Sequence, residues 1–216
     1  MNKLKSSQDE DFMMEILQGQ VTFPTYTGVR CLMMPYVQGD PDSLPEYLHG
    51  YSEIVRKWFL KSGDIGFLTV DESEVSSGVP HRGQRAKFDR ALHTEAGLVR
   101  GAASWGGPTW GGGINVTLDT DVRILLASSV DNSCAVWNSD HPNTSEDGDI
   151  GDFANDYPYD EGTLLRMGEV AKIGIFTPHE SLPIKEHGVR QFLRIVSSGV
   201  HGREPYFTRN PRVNFQ

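Results

Sequence analysis

Only two cysteines, Cys31 and Cys134, occur in the 216 residues, too few for the disulfide framework with which small secreted domains compensate for a thin core. No apolar run approaches the roughly 20 residues that a membrane-crossing helix requires. Residues 1–12 are polar and charged, unlike the apolar stretch of a cleavable leader. Together these absences predict a cytoplasmic protein with no membrane association. Positive charge is scarce as well: 20 Lys and Arg stand against 29 Asp and Glu, for a net charge of −9 and a pI near 5.2. Proteins that bind nucleic acid generally carry a basic stripe that displaces counterions from phosphates. Nucleic acid is therefore not expected as a partner, although a local basic pocket is compatible with an acidic whole. Internal repeats, heptads and low-complexity tracts are missing, and the glycine-rich stretch 101–113 contains no G-x-G-x-x-G junction of the dinucleotide-binding kind.

What the chain does contain predicts one domain, since 24.0 kDa suffices for one well-buried core and not comfortably for two. Ser7 and Glu10 have capping-box spacing before a short helix over 8–18. Pro24, Pro35 and Pro41 mark residues 19–43 as irregular chain with an edge strand near 28–37. Leu44, Tyr47, Leu48, Tyr51, Ile54, Val55, Trp58 and Phe59 recur at three- and four-residue steps, which predicts a support helix ending near Ser62 and Gly63. From Ile65 the period changes. Short strand-like runs follow at 65–70, 84–93, 114–118, 122–128, 134–137, 163–166, 170–177 and 189–197, separated by Gly, Asp, Asn and Pro. The pattern predicts a mainly β fold, a sandwich or barrel with flanking helices. Residues 1–63 form its helical support region, 64–200 its core and 201–216 a C-terminal tail.

Two stretches carry chemistry. His93 and Glu95 lie two residues apart, and in extended chain such a pair points to one face. His179, from a second strand, could complete a set of two imidazoles and one carboxylate that leaves positions open on an octahedral metal. Arg190 lies in the apolar run 189–196, where a guanidinium calls for a carboxylate partner. Arg194 falls on the same face of that strand, toward substrate or a second acidic group. Arg82, Arg85, Lys87, Arg90 and Arg194 together suggest a locally positive site that favours a small anion such as an amino acid or another carboxylate. Trp105 and Trp110 sit in the 101–113 loop, either closing over a substrate or packed down on the surface. The acidic segment 139–160 is read as a solvated insertion or as a lid; EF-hand ligand order is absent. Asp140 and His141 could mimic a metal pair but fall in loop chain. Cys134 reads as a small buried hydrophobe, with no activating base nearby in sequence.

His93-Thr94-Glu95, a distal His179 and then Arg190 eleven residues later (190 − 179) resemble the iron(II)- and 2-oxoglutarate-dependent dioxygenase superfamily, over roughly residues 65–200. The resemblance implies a double-stranded β-helix, a jelly-roll or cupin-like barrel. It further implies that His93, Glu95 and His179 hold Fe(II), and that Arg190 forks onto the far carboxylate of the co-substrate 2-oxoglutarate. The activity implied is consumption of molecular oxygen and release of succinate and carbon dioxide, coupled to hydroxylation of a small carboxylated molecule or a peptide residue. Arg82, Arg194, Trp105 and Trp110 are the candidate substrate contacts. Glu95 stands where most of the superfamily has Asp, which leaves the identity of the metal open. Two other readings use the same ligands: a cupin-type metal-binding module or isomerase without 2-oxoglutarate turnover, and a nucleobase-modifying dioxygenase.

Overall fold

The computed structural model describes residues 14–80, 90–95, 122–141, 148–197 and 207–214. Among them, nine strands form two antiparallel sheets. Six strands make the larger: β1 (Met14–Gln20), β2 (Arg30–Val37), β3 (Ile65–Val75), β4 (Arg123–Ser128), β7 (Glu169–Gly174) and β9 (Gly188–Val196), in the order β1-β7-β4-β9-β3-β2. Three make the smaller: β5 (Cys134–Val136), β6 (Thr163–Leu164) and β8 (His179–Ser181), in the order β6-β5-β8. The smaller sheet is widened by isolated bridges that add residue 93 beside residue 179 and residue 149 beyond it.

β4 and β7 read as nearly continuous apolar runs because both faces of the larger sheet are covered there. With a side-chain period of two, Leu193 and Ile195 of β9, Leu125 and Ala127 of β4, and Leu68 and Val70 of β3 pack with the helical layer of Leu44, Leu48, Ile54 and Val55. The alternate residues Val196, Ile124, Leu126 and Phe67 turn the other way, joining Cys134 and Val136 of the smaller sheet. Along β9 that second face also carries Arg190 and Arg194, which are 1 % and 0 % exposed. Two guanidiniums inside a protein need an electrostatic reason, and they mark the interior between the sheets as the site.

The N-terminal region departs from the helical expectation. Residues 14–18 of the predicted helix 8–18 belong to strand β1, paired with β7 through Met14↔Ile173 and Ile16↔Ala171; residues 8–13 lie outside the described residues. A free sheet edge offering unpaired backbone groups outweighed a weak local helix signal. The predicted support helix, preceded by a 3-10 turn at Pro41–Ser43, is broken into a 3-10 stretch at Glu46–Tyr51 and the short helix α1 (Ser52–Lys57). Pro45 holds Leu44 extended, at φ −80° and ψ 140°, as a residue before proline requires. The tighter three-residue period then buries Leu48, Tyr51 and Ile54 and leaves Tyr47 50 % exposed. The described part of the 1–63 region, residues 14–63, is thus two strands plus a broken helical layer, and not an all-helical support.

The predicted strands at 65–70, 122–128, 134–137, 163–166, 170–177 and 189–197 fall on β3, β4, β5, β6, β7 and β9 with shifted ends; of 84–93 only 90–93 are described, and they pair only through the isolated bridges of residue 93, while 114–118 lie outside the described residues. The C-terminal segment is more than a tail. Thr208 N–H donates to the Leu32 carbonyl at 2.9 Å and its Oγ1 accepts from Leu32 N–H at 2.9 Å. Asn210 Nδ2 donates to the carbonyls of Pro35 and Ser43, at 2.8 Å each. The segment therefore covers the exposed edge of β2.

Candidate metal centre

Residues 92–94 thread between β8 and the 148–150 segment. His93 N–H donates to the His179 carbonyl at 3.0 Å and His179 N–H returns a bond to the His93 carbonyl at 2.9 Å. The two histidines are thus a directly opposed cross-strand pair, with ring centroids 4.1 Å apart. Glu95, two residues on, falls on the same face as His93. The ligand atoms of His93, Glu95 and His179 all lie within 4.8 Å of one another, and all three residues are buried. Glu95 Oε1 is 3.5 Å from His179 Nε2 and 3.9 Å from His93 Nε2.

Both rings are oriented in the same way. His93 Nδ1 donates to the Ala91 carbonyl at 2.8 Å, and His179 Nδ1 donates to the Thr177 carbonyl at 3.0 Å. A carbonyl only accepts, so Nδ1 carries the proton and Nε2 presents its lone pair to the neighbouring ligands, the arrangement found around metal-bound imidazoles. Two imidazoles and a carboxylate are a donor set for divalent iron, manganese, cobalt or zinc. The residues fit a metal ion.

Arg190 shares a cavity of about 400 Å³ with this group. Its Nε donates to Ser128 Oγ at 3.0 Å, Nη1 to Ser181 Oγ at 2.6 Å and Nη2 to Cys134 Sγ at 3.0 Å. Ser181 is two residues beyond His179, so one short strand orients both a ligand and the guanidinium. Among the described residues no carboxylate pairs with Arg190. Cys134, which has no partner nearby in sequence, acquires one from β9. Burial raises its thiol pKa and Arg190 offsets only part of that rise, which keeps the thiol protonated.

Arg194 differs from its expected role as a substrate contact. Its Nη1 donates to Glu95 Oε1 at 2.5 Å, and it does not line the cavity. Of the two readings of this residue, the second acidic group prevails, because β9 crosses directly behind the 92–95 segment. Arg90 likewise contributes no free positive charge. Its guanidinium donates to Glu180 Oε2 at 2.7 Å and to the carbonyls of Ala154 and Tyr157, stacked 4.2 Å from the Tyr159 ring. Ala91 N–H also donates to Glu180 Oε1 at 3.1 Å, so Glu180 ties the first histidine strand to β8. Nothing local in the sequence signalled this tie, since the partners are 90 positions apart. Arg82, Arg85, Lys87, Trp105 and Trp110 lie outside the described residues.

In its described part the acidic segment is anchored at 148–150 and otherwise solvated, with Asp152, Asp156 and Asp160 exposed, and it does not cover the cavity. Ile150 packs with Leu92, Ala135 and Trp137 on the outer face of the smaller sheet, and none of the described residues of 139–160 lines the cavity. His141 Nδ1 bonds the Tyr157 hydroxyl at 2.8 Å, and neither Asp140 nor His141 joins a ligand cluster among the described residues. Gly148 is the point of contact with the ligand strand. Its carbonyl accepts from Thr94 N–H at 2.9 Å. Its φ is +83°, and an added Cβ would fall 2.3 Å from the Thr94 carbonyl oxygen. Gly148→Ala is expected to cost about 1–3 kcal/mol in unfolding free energy through backbone strain and to displace Thr94, which lies between two ligands. Metal affinity should fall about tenfold; a metal titration alongside a denaturant melt checks both effects.

No family model matches the chain, and comparison with the curated proteins likewise finds no match.

Proposed function

We propose that the chain is a non-haem iron oxygenase on a double-stranded β-helix, coupling oxidative decarboxylation of 2-oxoglutarate to hydroxylation of a small carboxylated molecule or peptide residue. The winding of the chain supports the fold assignment. β3, β4, β7 and β9 lie in one sheet, while residues 92–94, β5, β6 and β8 belong to the other. The path passes back and forth between the sheets, as a helix of paired strands does.

One observation carries the functional reading: Arg190, 1 % exposed, faces the cavity of the His-Glu-His group while meeting hydroxyls, a thiol and no carboxylate among the described residues. A buried cation in that state is stabilised by an anionic ligand. Three of its five N–H donors are used by Ser128, Ser181 and Cys134, and these bonds fix the plane of the guanidinium for a carboxylate. Leu126, Val136 and Phe192 supply apolar wall around the same space, which lowers the local dielectric and strengthens the charge pairing within it. His93, Glu95 and His179 would hold the iron, whose contribution is dioxygen activation beyond the reach of protein groups.

The test is succinate release from 2-oxoglutarate by protein reconstituted with Fe(II) without oxygen and then exposed to air. Protein that binds Fe(II) yet releases no succinate above the metal-free control refutes the oxygenase. Arg190→Ala is expected to weaken 2-oxoglutarate binding by about 2–5 kcal/mol, the cost of truncating one partner of a buried charge pair. Metal affinity should stay nearly unchanged. A cupin-type isomerase would show no such loss.

A further inference from the structure

Glu95 Oε1 faces two cations' worth of chemistry. It is the carboxylate atom nearest both histidine Nε2 atoms, at 3.5 and 3.9 Å, and it already accepts a bond from Arg194 Nη1 at 2.5 Å. Arg194 is 0 % exposed and is carried on β9, whose register is fixed on both sides by Thr69↔Arg194 and Leu126↔Arg194. The guanidinium cannot swing out to water without breaking the centre of the sheet.

Resting on the metal reading above, we propose that Arg194 is a built-in counter-ion that stands in for the metal on Glu95, holding the ligand set assembled in the metal-free protein and lowering its affinity for a divalent cation. The effect is electrostatic. Without a metal, a buried carboxylate beside two imidazoles needs a positive partner, and Arg194 supplies it. When a divalent ion arrives, the same oxygen must serve both cations, and the guanidinium repels the newcomer at close range in a medium that screens poorly. Hydrogen bonding from a guanidinium also stabilises the carboxylate anion and so lowers its basicity toward a second cation. The site is consequently preformed and metal uptake is weaker than the donor set alone would give. Arg194 is a positioning residue; it does not line the cavity.

The test compares wild-type protein with Arg194→Met and Arg194→Gln, which remove the charge, and Arg194→Lys, which keeps it. Mn(II) serves as the probe, in calorimetric titration and in thermal melts with and without the ion. Both neutral variants are expected to melt below wild type when metal-free, to gain a larger upward shift on adding Mn(II), and to bind it about tenfold more tightly or better. Arg194→Lys should bind within about threefold of wild type. If Arg194→Met does not fold metal-free, refolding with and without Mn(II) reads the same coupling: recovery only with the ion supports the stand-in role, and failure in both overturns it. Equal or weaker Mn(II) binding by the neutral variants overturns it as well. Wild-type protein that takes up no divalent metal overturns the metal reading itself, a separate outcome.

Discussion

His179→Ala is expected to abolish tight divalent-metal binding, lowering affinity by more than about a hundredfold, the upper end of what loss of even an outer-shell partner causes. Three side chains make up the group, and none of the other described residues adds a fourth. The loss cannot be taken up by Glu95, whose Oε1 already serves Arg194. The fold should survive the change, because His179 is held to His93 by backbone bonds in both directions, which alanine retains. Titration with Mn(II) or Zn(II) beside a circular dichroism spectrum separates the two effects. A variant that folds and binds as wild type would show that the three residues do not hold a shared ion. Succinate release, if the oxygenase reading holds, should disappear with the metal.

The second large effect concerns stability. Glu72, on β3, is 2 % exposed. Its Oε2 accepts from the N–H groups of Thr27, Gly28 and Val29 at 2.6, 2.7 and 3.1 Å, and its Oε1 accepts from the Tyr51 hydroxyl at 2.7 Å and Gln191 Nε2 at 2.8 Å. One carboxylate thereby joins the loop before β2, the helical layer and β9. Glu72→Ala leaves all of these donors without their acceptor, and the expected cost is about 3–5 kcal/mol of unfolding free energy, measured by urea denaturation.

The same residue sets a pH dependence. Burial alone would raise its pKa, but bonds from Tyr51, Thr27, Gln191 and Val29 outweigh burial and hold the carboxyl below the ordinary glutamate value. A lowered folded-state pKa stabilises the protein at pH above the unfolded value, about 4.3. That stability is lost as pH falls through the folded value. Wild type should therefore lose stability on acidification below about pH 4, and Glu72→Ala should show a shallower acid limb. Identical acid limbs in the two proteins would remove Glu72 as the cause.

Much of the site was legible because its chemistry is written in short-range spacing. A two-residue step between His93 and Glu95 projects both side chains to one face of any extended chain, and a guanidinium at 190 inside an apolar run announces a buried charge wherever the strand is placed. The pairing of Arg90 with Glu180 and of Arg194 with Glu95 was not legible, since each joins residues that only the winding of the chain brings together. Glu72 was missed for a related reason: its donors are backbone N–H groups of a loop, which carry no residue-type signal. Trp105, Trp110 and Arg82 lie outside the described residues.

By itself, the sequence determined a mainly β pattern after Ile65, the grouping of His93, Glu95 and His179 as side chains that could hold a metal ion, and a buried Arg190, because strand period and residue chemistry act locally and survive any packing. Tertiary structure alone decided that residues 14–18 would belong to a sheet edge and not a helix, that Arg194 would pair with Glu95 and not line the cavity, and that 148–150 would brace the segment carrying His93. Those outcomes depend on which edges and charges are left unsatisfied once the two sheets close on each other, a balance set by the whole chain and by no single stretch of it.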